Sequence, residues 1–288
     1  MGRCHSETAA TVADGIVARR VPVPIEHTAT LDDQPLFWRA ADAGGPDRSA
    51  AGRAPVLYLH GVPTSSDDWL PFLERTGGLA PDLPGFGRSG KRGDGDFTIE
   101  GYARFVGAFL DIAEVDRVRL VVHDWGAAGL VWAQRHRERV ERLVVMDAVP
   151  LLPGYRWHAL ARGWRTWGVG ETLMGATTRF ALRRAMPPAL ADRAWPHFDQ
   201  GTQRAILRLY RTSPEDRLAA AGADLRRIVC PALVVWGERD RYIPARFADA
   251  YAAALGGDAD VERLPDAGHW PWCERPEVVE RVAAFLAA

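Results

Sequence analysis

The sequence predicts an α/β fold, with a mostly parallel, doubly wound sheet and a helical segment inserted between two of its strands. Three observations support this fold class. Short apolar runs alternate with amphipathic segments along most of the 288 residues. Residues 150–222 interrupt that alternation with helical patterns and no convincing strand. Polar residues with catalytic potential follow directly after several of the apolar runs.

The first part of the chain supplies a hairpin, two strands and a helix. Apolar and polar residues alternate in 21–31 and 36–39, which predicts an N-terminal hairpin. The run 55–60 is short and apolar, as expected of a buried strand, and 78–82 is a weaker strand of the same kind. In 98–115 the apolar residues recur at helical spacing, which predicts an amphipathic helix.

The remaining predicted strands are short apolar runs. Residues 118–122 and 142–146 predict two buried strands, separated by a helix over 125–136 that begins with small residues. Residues 232–236 predict another strand, and 261–264 predict the last one. Because strands joined through helices run parallel, we expect both faces of the sheet to be covered.

On this basis the chain divides into three regions. Residues 1–20 are polar and alanine-rich, and we expect a flexible N-terminal tail. Residues 21–149 and 223–288 together supply the predicted α/β core. Residues 150–222 form a predicted helical cap domain over the carboxyl edge of the sheet, which is where folds of this class bind ligands.

Composition and charge exclude several classes of protein. The formal net charge is −1, which removes the electrostatic case for nucleic acid or an anionic membrane as the main partner. Cys4, Cys230 and Cys273 are widely spaced and odd in number, which indicates reduced thiols and no disulfide framework. No signal peptide, membrane-length apolar run, metal-ligand cluster or dinucleotide motif is visible. We therefore expect a cytoplasmic monomer or homodimer that needs no cofactor.

A strand-to-helix turn at 122–129 holds the first candidate catalytic residue. The strand 118–122 runs into His-Asp-Trp-Gly-Ala-Ala-Gly. A sharp turn beside small residues can expose one side chain at its tip, here Asp124, although valine occupies the position of the usual first glycine. Aspartate is also a favoured helix N-cap, so the turn on its own is equally consistent with a structural role.

Three further motifs follow predicted strands. The sequence His-Gly-Val-Pro begins at His60, Gly-Glu-Arg-Asp ends at Asp240, and Asp-Ala-Gly-His-Trp contains His269. Each is weak singly, because Gly-Pro turns are common and a lone histidine is more often a partly buried structural residue. With Asp124 they place an acid nucleophile, a second acid and a histidine in chain order at the ends of strands.

These motifs resemble those of the α/β-hydrolase superfamily. The resemblance covers roughly residues 21–288, and it includes Asp-Leu-Pro-Gly-Phe-Gly-Arg-Ser at 82–89 and Arg-Pro before the last predicted helix. Within the superfamily, the His-Asp-Trp-Gly elbow looks like that of epoxide hydrolases and haloalkane dehalogenases, whereas esterases and lipases place serine there.

The resemblance implies a two-step hydrolysis. Asp124 would attack a carbon atom and form an alkyl-enzyme ester, and His269, oriented by Asp240, would activate the water that hydrolyses this ester. The backbone N–H groups of Val62 and Trp125 would form the oxyanion hole. A carboxylate is already charged at neutral pH, so it needs no base to act as a nucleophile.

Two tyrosines of the predicted cap favour an epoxide as the substrate. An opening epoxide produces a basic alkoxide, which needs a proton donor such as a phenol. Epoxide hydrolases similar to this sequence use two cap tyrosines, and this cap segment contains two, Tyr155 and Tyr210, while the other four tyrosines lie in the predicted core. Either ring could instead simply pack within the cap. The sequence thus predicts conversion of an epoxide to a vicinal diol.

The alternative is a haloalkane dehalogenase with the same core. Dehalogenases that resemble this chain hold the halide with the Trp after the nucleophile, here Trp125, and with either a first-loop Asn or a second Trp from the cap. Val62 occupies the Asn position, which counts against the first arrangement. Other dehalogenases place the acid after the sixth strand, which makes Asp147 the second candidate for the acid. The cap tryptophans available for the second arrangement are Trp157, Trp164, Trp167 and Trp195.

The expected partners are therefore water and a small apolar epoxide or haloalkane. We expect large rigid side chains to surround Asp124 with an apolar pocket. The predicted pocket residues are His60, Trp157, Trp164 and Trp270. A non-catalytic ligand-binding protein of the same fold is a third possibility, against which the complete acid–histidine–acid set argues.

Overall fold

One eight-stranded sheet runs through the computed structural model, which describes residues 23–42 and 53–288. The predicted tail and Cys4 lie outside the described residues, as does the beginning of the predicted hairpin. In chain order the strands are β1 (Ile25–Leu31), β2 (Gln34–Ala41), β3 (Val56–Leu59), β4 (Gly78–Pro81), β5 (Val118–His123), β6 (Val140–Met146), β7 (Ala232–Gly237) and β8 (Ala259–Leu264).

The sheet is mostly parallel, as the sequence predicts. Its spatial order is β1-β2-β4-β3-β5-β6-β7-β8. β2 pairs antiparallel with both β1 and β4, and the other neighbouring pairs are parallel. The carboxyl ends of β3, β5, β6, β7 and β8 therefore share one edge of the sheet.

Helices connect the strands and cover both faces. They are α1 (Leu70–Thr76), α2 (Ile99–Ile112), α3 (Ala128–Arg135), α4 (Ala159–Arg165), α5 (Val169–Gly175), α6 (Arg179–Ala185), α7 (Pro188–Ala194), α8 (Gln200–Thr212), α9 (Glu215–Ala221), α10 (Arg246–Ala254), α11 (Pro271–Glu274) and α12 (Glu277–Ala287). None of these helices is both long and apolar enough to cross a membrane.

Burial explains why the central strands are so apolar. Every residue of β3 and β7 is buried, because helices pack on both faces of the sheet. The amphipathic helix α2 shows how one such layer forms. Thr98 caps its N-terminus by accepting a hydrogen bond from the Gly101 N–H, and Tyr102, Phe105 and Phe109 turn towards the sheet.

Between β6 and β7 the chain forms helices α4 to α9, and the described residues of this segment contain no strand. The predicted absence of strands from 150–222 agrees with this element order. The first of these helices begins at Ala159 and the last ends at Ala221, inside the predicted limits. The limits of a separate cap domain remain a prediction.

The turn after β5 differs from the predicted helix over 125–136. A short 3-10 helix, Asp124–Ala127, precedes α3, and Asp124 has a φ of +48°. A non-glycine residue in the left-handed region is strained and persists only where the surrounding structure holds it. Helix α1 was not predicted, because its seven residues show too little periodicity.

Gly126 allows the turn after β5 to approach the neighbouring strand β3. A Cβ atom at this position would lie 2.1 Å from the backbone carbonyl oxygen of Leu59. Because that oxygen belongs to the backbone, no side-chain rotation could relieve the clash. The absence of a side chain at Gly126 is therefore a packing requirement of the strand-to-helix turn.

We predict that Gly126→Ala destabilises the protein by about 1–3 kcal/mol, because the backbone must shift to admit the methyl group. Urea unfolding measures this change. The matched control is Gly175→Ala at the end of α5, where a Cβ would meet nothing within 4 Å. That substitution should be neutral or stabilising by up to about 1 kcal/mol. Equal effects of the two substitutions would contradict the close-packing argument.

Candidate active site

Four titratable side chains meet at the carboxyl edge of the sheet. Asp124 follows β5, Asp147 follows β6, Asp240 lies in the loop after β7, and His269 lies in the loop after β8. All four side chains are at most 7% exposed, so the cluster is shielded from water. Parallel strands explain the convergence, because they end at the same edge.

Asp124 stands at the tip of the strand-to-helix turn. Its Oδ2 accepts a hydrogen bond of 2.9 Å from the backbone N–H of Val62, and the backbone N–H of Trp125 also donates to the carboxylate. Burial raises the pKa of the Asp124 carboxyl to about 6, while nearby His269 and the two N–H groups act in the opposite direction. At neutral pH the carboxylate is therefore still charged, but it is poorly solvated.

His269 lies between two carboxylates. Its Nδ1 is 2.7 Å from Oδ2 of Asp240, and its Nε2 is 3.9 Å from Oδ1 of Asp124, too far for a direct hydrogen bond. Burial alone would lower the pKa of His269, but the charge and hydrogen bond of Asp240 outweigh it, so the pKa is raised. Asp240 thus fixes the ring with Nε2 facing Asp124.

Both sequence candidates for the acid are present, and they have different contacts. Asp240 is the one that bonds to His269, whereas Asp147 Oδ1 accepts a hydrogen bond of 3.0 Å from the Gly237 N–H. Potential ligand atoms of Asp147, Asp240 and His269 lie within 4.8 Å of one another, close enough to hold a metal ion. The 2.7 Å contact between Asp240 and His269 is instead the length of a hydrogen bond.

A second histidine, which the sequence analysis missed, supports His269. Nε2 of His123 lies 2.7 Å from the backbone carbonyl oxygen of His269. A carbonyl only accepts, so His123 donates from Nε2. Burial lowers the pKa of His123 far below its ordinary value, which keeps the ring neutral. Its position immediately before Asp124, at the end of a buried strand, was the available indication.

An apolar cavity of about 320 Å³ opens beside Asp124 and His269. Apolar side chains from the core loops and from the segment between β6 and β7 form most of its wall. The apolar wall residues include Val149, Leu173, Met174, Leu182, Met186, Phe198, Ile206 and Ile243. A cavity of this size and lining suits a small apolar molecule.

Three of the four predicted pocket residues, Trp157, Trp164 and Trp270, lie on this wall. Val62, Tyr155 and Tyr210, which the sequence analysis placed in the catalytic machinery, also line it. Of the other two cap tryptophans, Trp167 is 78% exposed, and Trp195 lies outside the wall. The Trp125 side chain is fully buried behind the wall, stacked on Trp157 at a ring-centroid distance of 5.5 Å.

The prediction that His60 lines the pocket is wrong. Its ring is completely buried away from the cavity, where Nε2 accepts a hydrogen bond of 2.9 Å from the Leu83 N–H. Burial lowers the pKa of His60, so the neutral ring can accept this bond. His60 therefore joins the loops after β3 and β4.

The hydrogen-bond donors around Asp124 differ in availability. The indole N–H of Trp157 donates to the Ser213 carbonyl oxygen at 3.0 Å, and so faces away from any ligand. The hydroxyl of Tyr155 is buried and has no hydrogen-bond partner among the described residues. The Tyr210 hydroxyl lies near the Trp125 indole, and burial raises the pKa values of both tyrosines.

Two polar residues of the wall were missed by the sequence analysis. His158 caps α4, since its Nδ1 accepts from the Ala161 N–H at 3.2 Å, and burial lowers its pKa to about 4. Tyr242 lies two residues after Asp240 and lines the cavity although it belongs to the core. Closeness to Asp240 could have indicated Tyr242; nothing in the sequence indicated His158.

The arrangement provides a charged oxygen nucleophile, a base and a pair of N–H donors around one carboxyl group. Oδ2 of Asp124 is held by backbone N–H groups, and Oδ1 is left on the side of His269. A hydrolase that uses an acid as its nucleophile needs this combination of groups.

Comparisons with known proteins agree with that class. Residues 56–282 match the Alpha/beta hydrolase family, and the chain belongs to this family. A haloalkane dehalogenase of Mesorhizobium japonicum is 30% identical over 286 residues, which cover 88% of this chain and 88% of that protein.

Solved structures agree as well. A haloalkane dehalogenase from Bradyrhizobium elkani superposes with a TM-score of 0.77 at 26% identity and covers 92% of this chain and 98% of its own. An epoxide hydrolase gives a TM-score of 0.75 at 20% identity, covering 92% of this chain and 99% of its own, and at that identity the likeness concerns the fold. The α/β-hydrolase fold predicted from the sequence is thus confirmed.

The raised pKa of Asp124 predicts a pH-dependent cost in stability. The folded protein holds this proton more tightly than the unfolded chain, so the cost is absent below about pH 4 and complete above about pH 6. Replacing Asp124 by Asn should therefore stabilise the protein at pH 8 by about 3 kcal/mol, and the gain should shrink towards pH 4. Urea unfolding at the two pH values measures it.

The control for this experiment is Asp111→Asn at the exposed end of α2, which should change stability by less than about 0.5 kcal/mol at either pH. If the gain from Asp124→Asn were the same at pH 8 and pH 4, burial would not be what raises the pKa of Asp124.

Proposed function

We propose that the protein hydrolyses a small apolar substrate through a covalent alkyl ester on Asp124. One observation carries this proposal. The Asp124 carboxylate lines the cavity, and its Oδ2 accepts a hydrogen bond of 2.9 Å from the Val62 N–H. His269 Nε2 lies 3.9 Å from Oδ1 of the same carboxylate. The reaction consumes only the substrate and water.

In the first step Oδ1 of Asp124 attacks an sp³ carbon of the substrate. A carbon–oxygen bond forms, and the bond to the leaving group breaks with its electron pair on the leaving group. Burial favours this step, because a poorly hydrated carboxylate loses little solvation when it is alkylated.

In the second step water attacks the carboxyl carbon of the ester. His269 takes a proton from this water at Nε2, and Asp240 stabilises the imidazolium that forms. The negative charge develops on Oδ2, which the N–H groups of Val62 and Trp125 hold. One such donor is typically worth about 10²–10³ in rate. The bond between the carboxyl carbon and the alkyl-bearing oxygen then breaks, and His269 gives its proton to that oxygen, so the product leaves as an alcohol. The carboxyl group releases the second water proton to solvent, which restores the Asp124 carboxylate.

Haloalkanes are the first substrate class to consider, because the full-length relatives bear that activity in their names. A halide is a weak base and needs only hydrogen-bond donors. Val62 offers no side-chain amide and Trp157 donates to Ser213. The donors left for a departing halide are the Tyr155 hydroxyl and the indole N–H groups of Trp125 and Trp270, which are buried and have no partner among the described residues.

Epoxides are the second candidate, and two tyrosines on the cavity wall favour them. Tyr155 and Tyr210 both line the cavity that holds Asp124, as the sequence-based preference for an epoxide requires. A phenol can give its proton to the alkoxide of an opening epoxide. A phenol can also hydrogen-bond to a halide, so the tyrosines suit either leaving group, whereas the relatives favour the halide.

Incubation with 1-bromobutane and with styrene oxide distinguishes the two classes. Bromide release without diol supports carbon–halide hydrolysis, and diol without bromide release supports epoxide hydrolysis. Absence of both products together with tight binding of a ligand favours a non-catalytic ligand-binding member of the fold and contradicts the proposal.

We predict that His269→Gln traps the ester. The first step needs only the Asp124 carboxylate, whereas the second needs a base at Nε2. Intact-protein mass spectrometry after incubation with substrate should show an added alkyl group, which peptide mapping should locate on Asp124. The double variant Asp124→Asn, His269→Gln should show no adduct. Normal turnover by His269→Gln would contradict the two-step scheme.

We predict that Tyr155→Phe lowers kcat by about 10²-fold, because the leaving group loses its hydrogen-bond donor while the ring is kept. Steady-state kinetics with the active substrate measure this loss. Tyr102→Phe is the matched control, since its hydroxyl donates to the Pro84 carbonyl oxygen outside the cavity. An equal loss in both variants would show that the Tyr155 hydroxyl acts on folding and not on the leaving group.

A further inference from the structure

Asp147 is a fully buried carboxyl group that the proposed reaction does not use. It follows β6 directly and has a φ of +39°, so the backbone adopts a left-handed conformation to place its side chain. A non-glycine residue keeps this conformation where contacts with the surrounding structure hold it there. Its side chain enters the cluster that contains Asp240 and His269, within 4.8 Å.

The hydrogen-bond donors around the two acids are unequal. Asp240 receives three: His269 at Nδ1 and the backbone N–H groups of Tyr242 at 2.7 Å and Ile243 at 3.0 Å. Asp147 receives one, from the Gly237 N–H to Oδ1. No described residue donates to its Oδ2, which is buried. The Asp147 carboxyl group is a neighbour of the Asp240 carboxyl group, within 4.8 Å, and the two side chains can share a hydrogen bond.

Two ionised carboxylates in this position would repel each other in a poorly solvated site. The charged or titratable groups that face Asp147 are Asp240, Asp124 and His269, and the first two are acids. The negative charge of the pair belongs on Asp240, because three donors stabilise it there and one would stabilise it on Asp147.

We propose that Asp147 is a neutral carboxylic acid whose O–H donates to Asp240, so that the two residues share one negative charge and one proton. Burial and the neighbouring Asp240 raise the pKa of Asp147 well above its ordinary value, which agrees with this assignment. Asp147 is thus a positioning residue for Asp240 and not a second catalytic acid.

The shared proton has two consequences for His269. The hydrogen bond from Asp147 holds the Asp240 carboxylate in the orientation that faces Nδ1. It also withdraws charge from Asp240, so His269 becomes a weaker base than it would be beside a lone carboxylate. His269 therefore stays neutral, and able to accept a proton from water, at a lower pH than it would beside a lone carboxylate. The kinetic consequence rests on the proposed function, whereas the protonation state does not.

The experiment measures the pKa of His269 by NMR of histidine-labelled protein. An Asp124→Asn background removes one of the acids that raise the His269 pKa, and the buried Asp68, which raises it too, is the same in every variant. The His269→Gln spectrum assigns the signal. Asp147→Asn keeps both the acceptor for Gly237 and the donor to Asp240, so the His269 pKa should change by less than about 0.3. Asp147→Leu removes the donor, and the His269 pKa should rise by about one unit.

A fall of the His269 pKa in the Asp147→Asn variant would overturn the proposal. If Asp147 were ionised, Asp147→Asn would remove a negative charge and the His269 pKa would fall by about one unit. The Asn variant decides the question even if the Leu variant fails to fold. No substrate is needed, so this result is independent of the proposed reaction.

Kinetics provide the second readout in protein with Asp124 intact. Asp147→Leu should lower kcat by about tenfold and move the acidic limb of its pH profile upward, and Asp147→Asn should restore both. Loss of turnover in Asp147→Asn, with Asp240→Asn remaining active, would instead make Asp147 the working acid and overturn the proposal.

Discussion

The hydrogen bond between His269 and Asp240 is the interaction on which the candidate site depends. Both side chains are almost fully buried, and the 2.7 Å contact satisfies a polar atom of each. The bond directs Nε2 towards Asp124, and the rings of His123, Tyr242 and Trp270 pack around the imidazole. The loops after β7 and β8 supply the two residues, so the bond joins neighbouring loops at one end of the sheet, while Asp124 follows β5 nearer its centre.

The sequence predicted the parts of the structure that short-range patterns encode. Apolar runs marked the strands, and the residues that follow them, among them Asp124 and Asp240, could be placed at one edge because parallel strands end together. It could not predict which side of a strand end a ring would occupy. His60 therefore was placed in the cavity, although its ring bonds to the loop after β4. Likewise, the sequence analysis counted Trp167 as available to the pocket and did not indicate His158, whereas packing leaves Trp167 exposed and places His158 on the cavity wall.

Substrate preference is another property that the sequence predicts only in part. The proposed reacting groups come from the core, and their order along the chain is what the sequence analysis relied on. The proposed leaving-group site instead depends on where single N–H and O–H groups point in the segment between β6 and β7. A tryptophan counted as available in the sequence, Trp157, donates to a backbone carbonyl in the structure, while a tyrosine, Tyr155, keeps its hydroxyl without a partner.

The hydrogen bond from Trp157 to the Ser213 carbonyl oxygen also links two distant parts of the helical segment. Residue 157 lies just before α4, and residue 213 lies between α8 and α9, so the bond joins the beginning of the helical segment to the junction of its last two helices. Arg165 reinforces this contact by donating to the same carbonyl oxygen at 2.7 Å. The two bonds hold these parts of the segment together, so its helices keep their arrangement around the cavity. We therefore expect small molecules to enter and leave through local rearrangement of wall side chains such as Leu160 and Leu173, whose partly exposed surfaces form the mouth of the cavity.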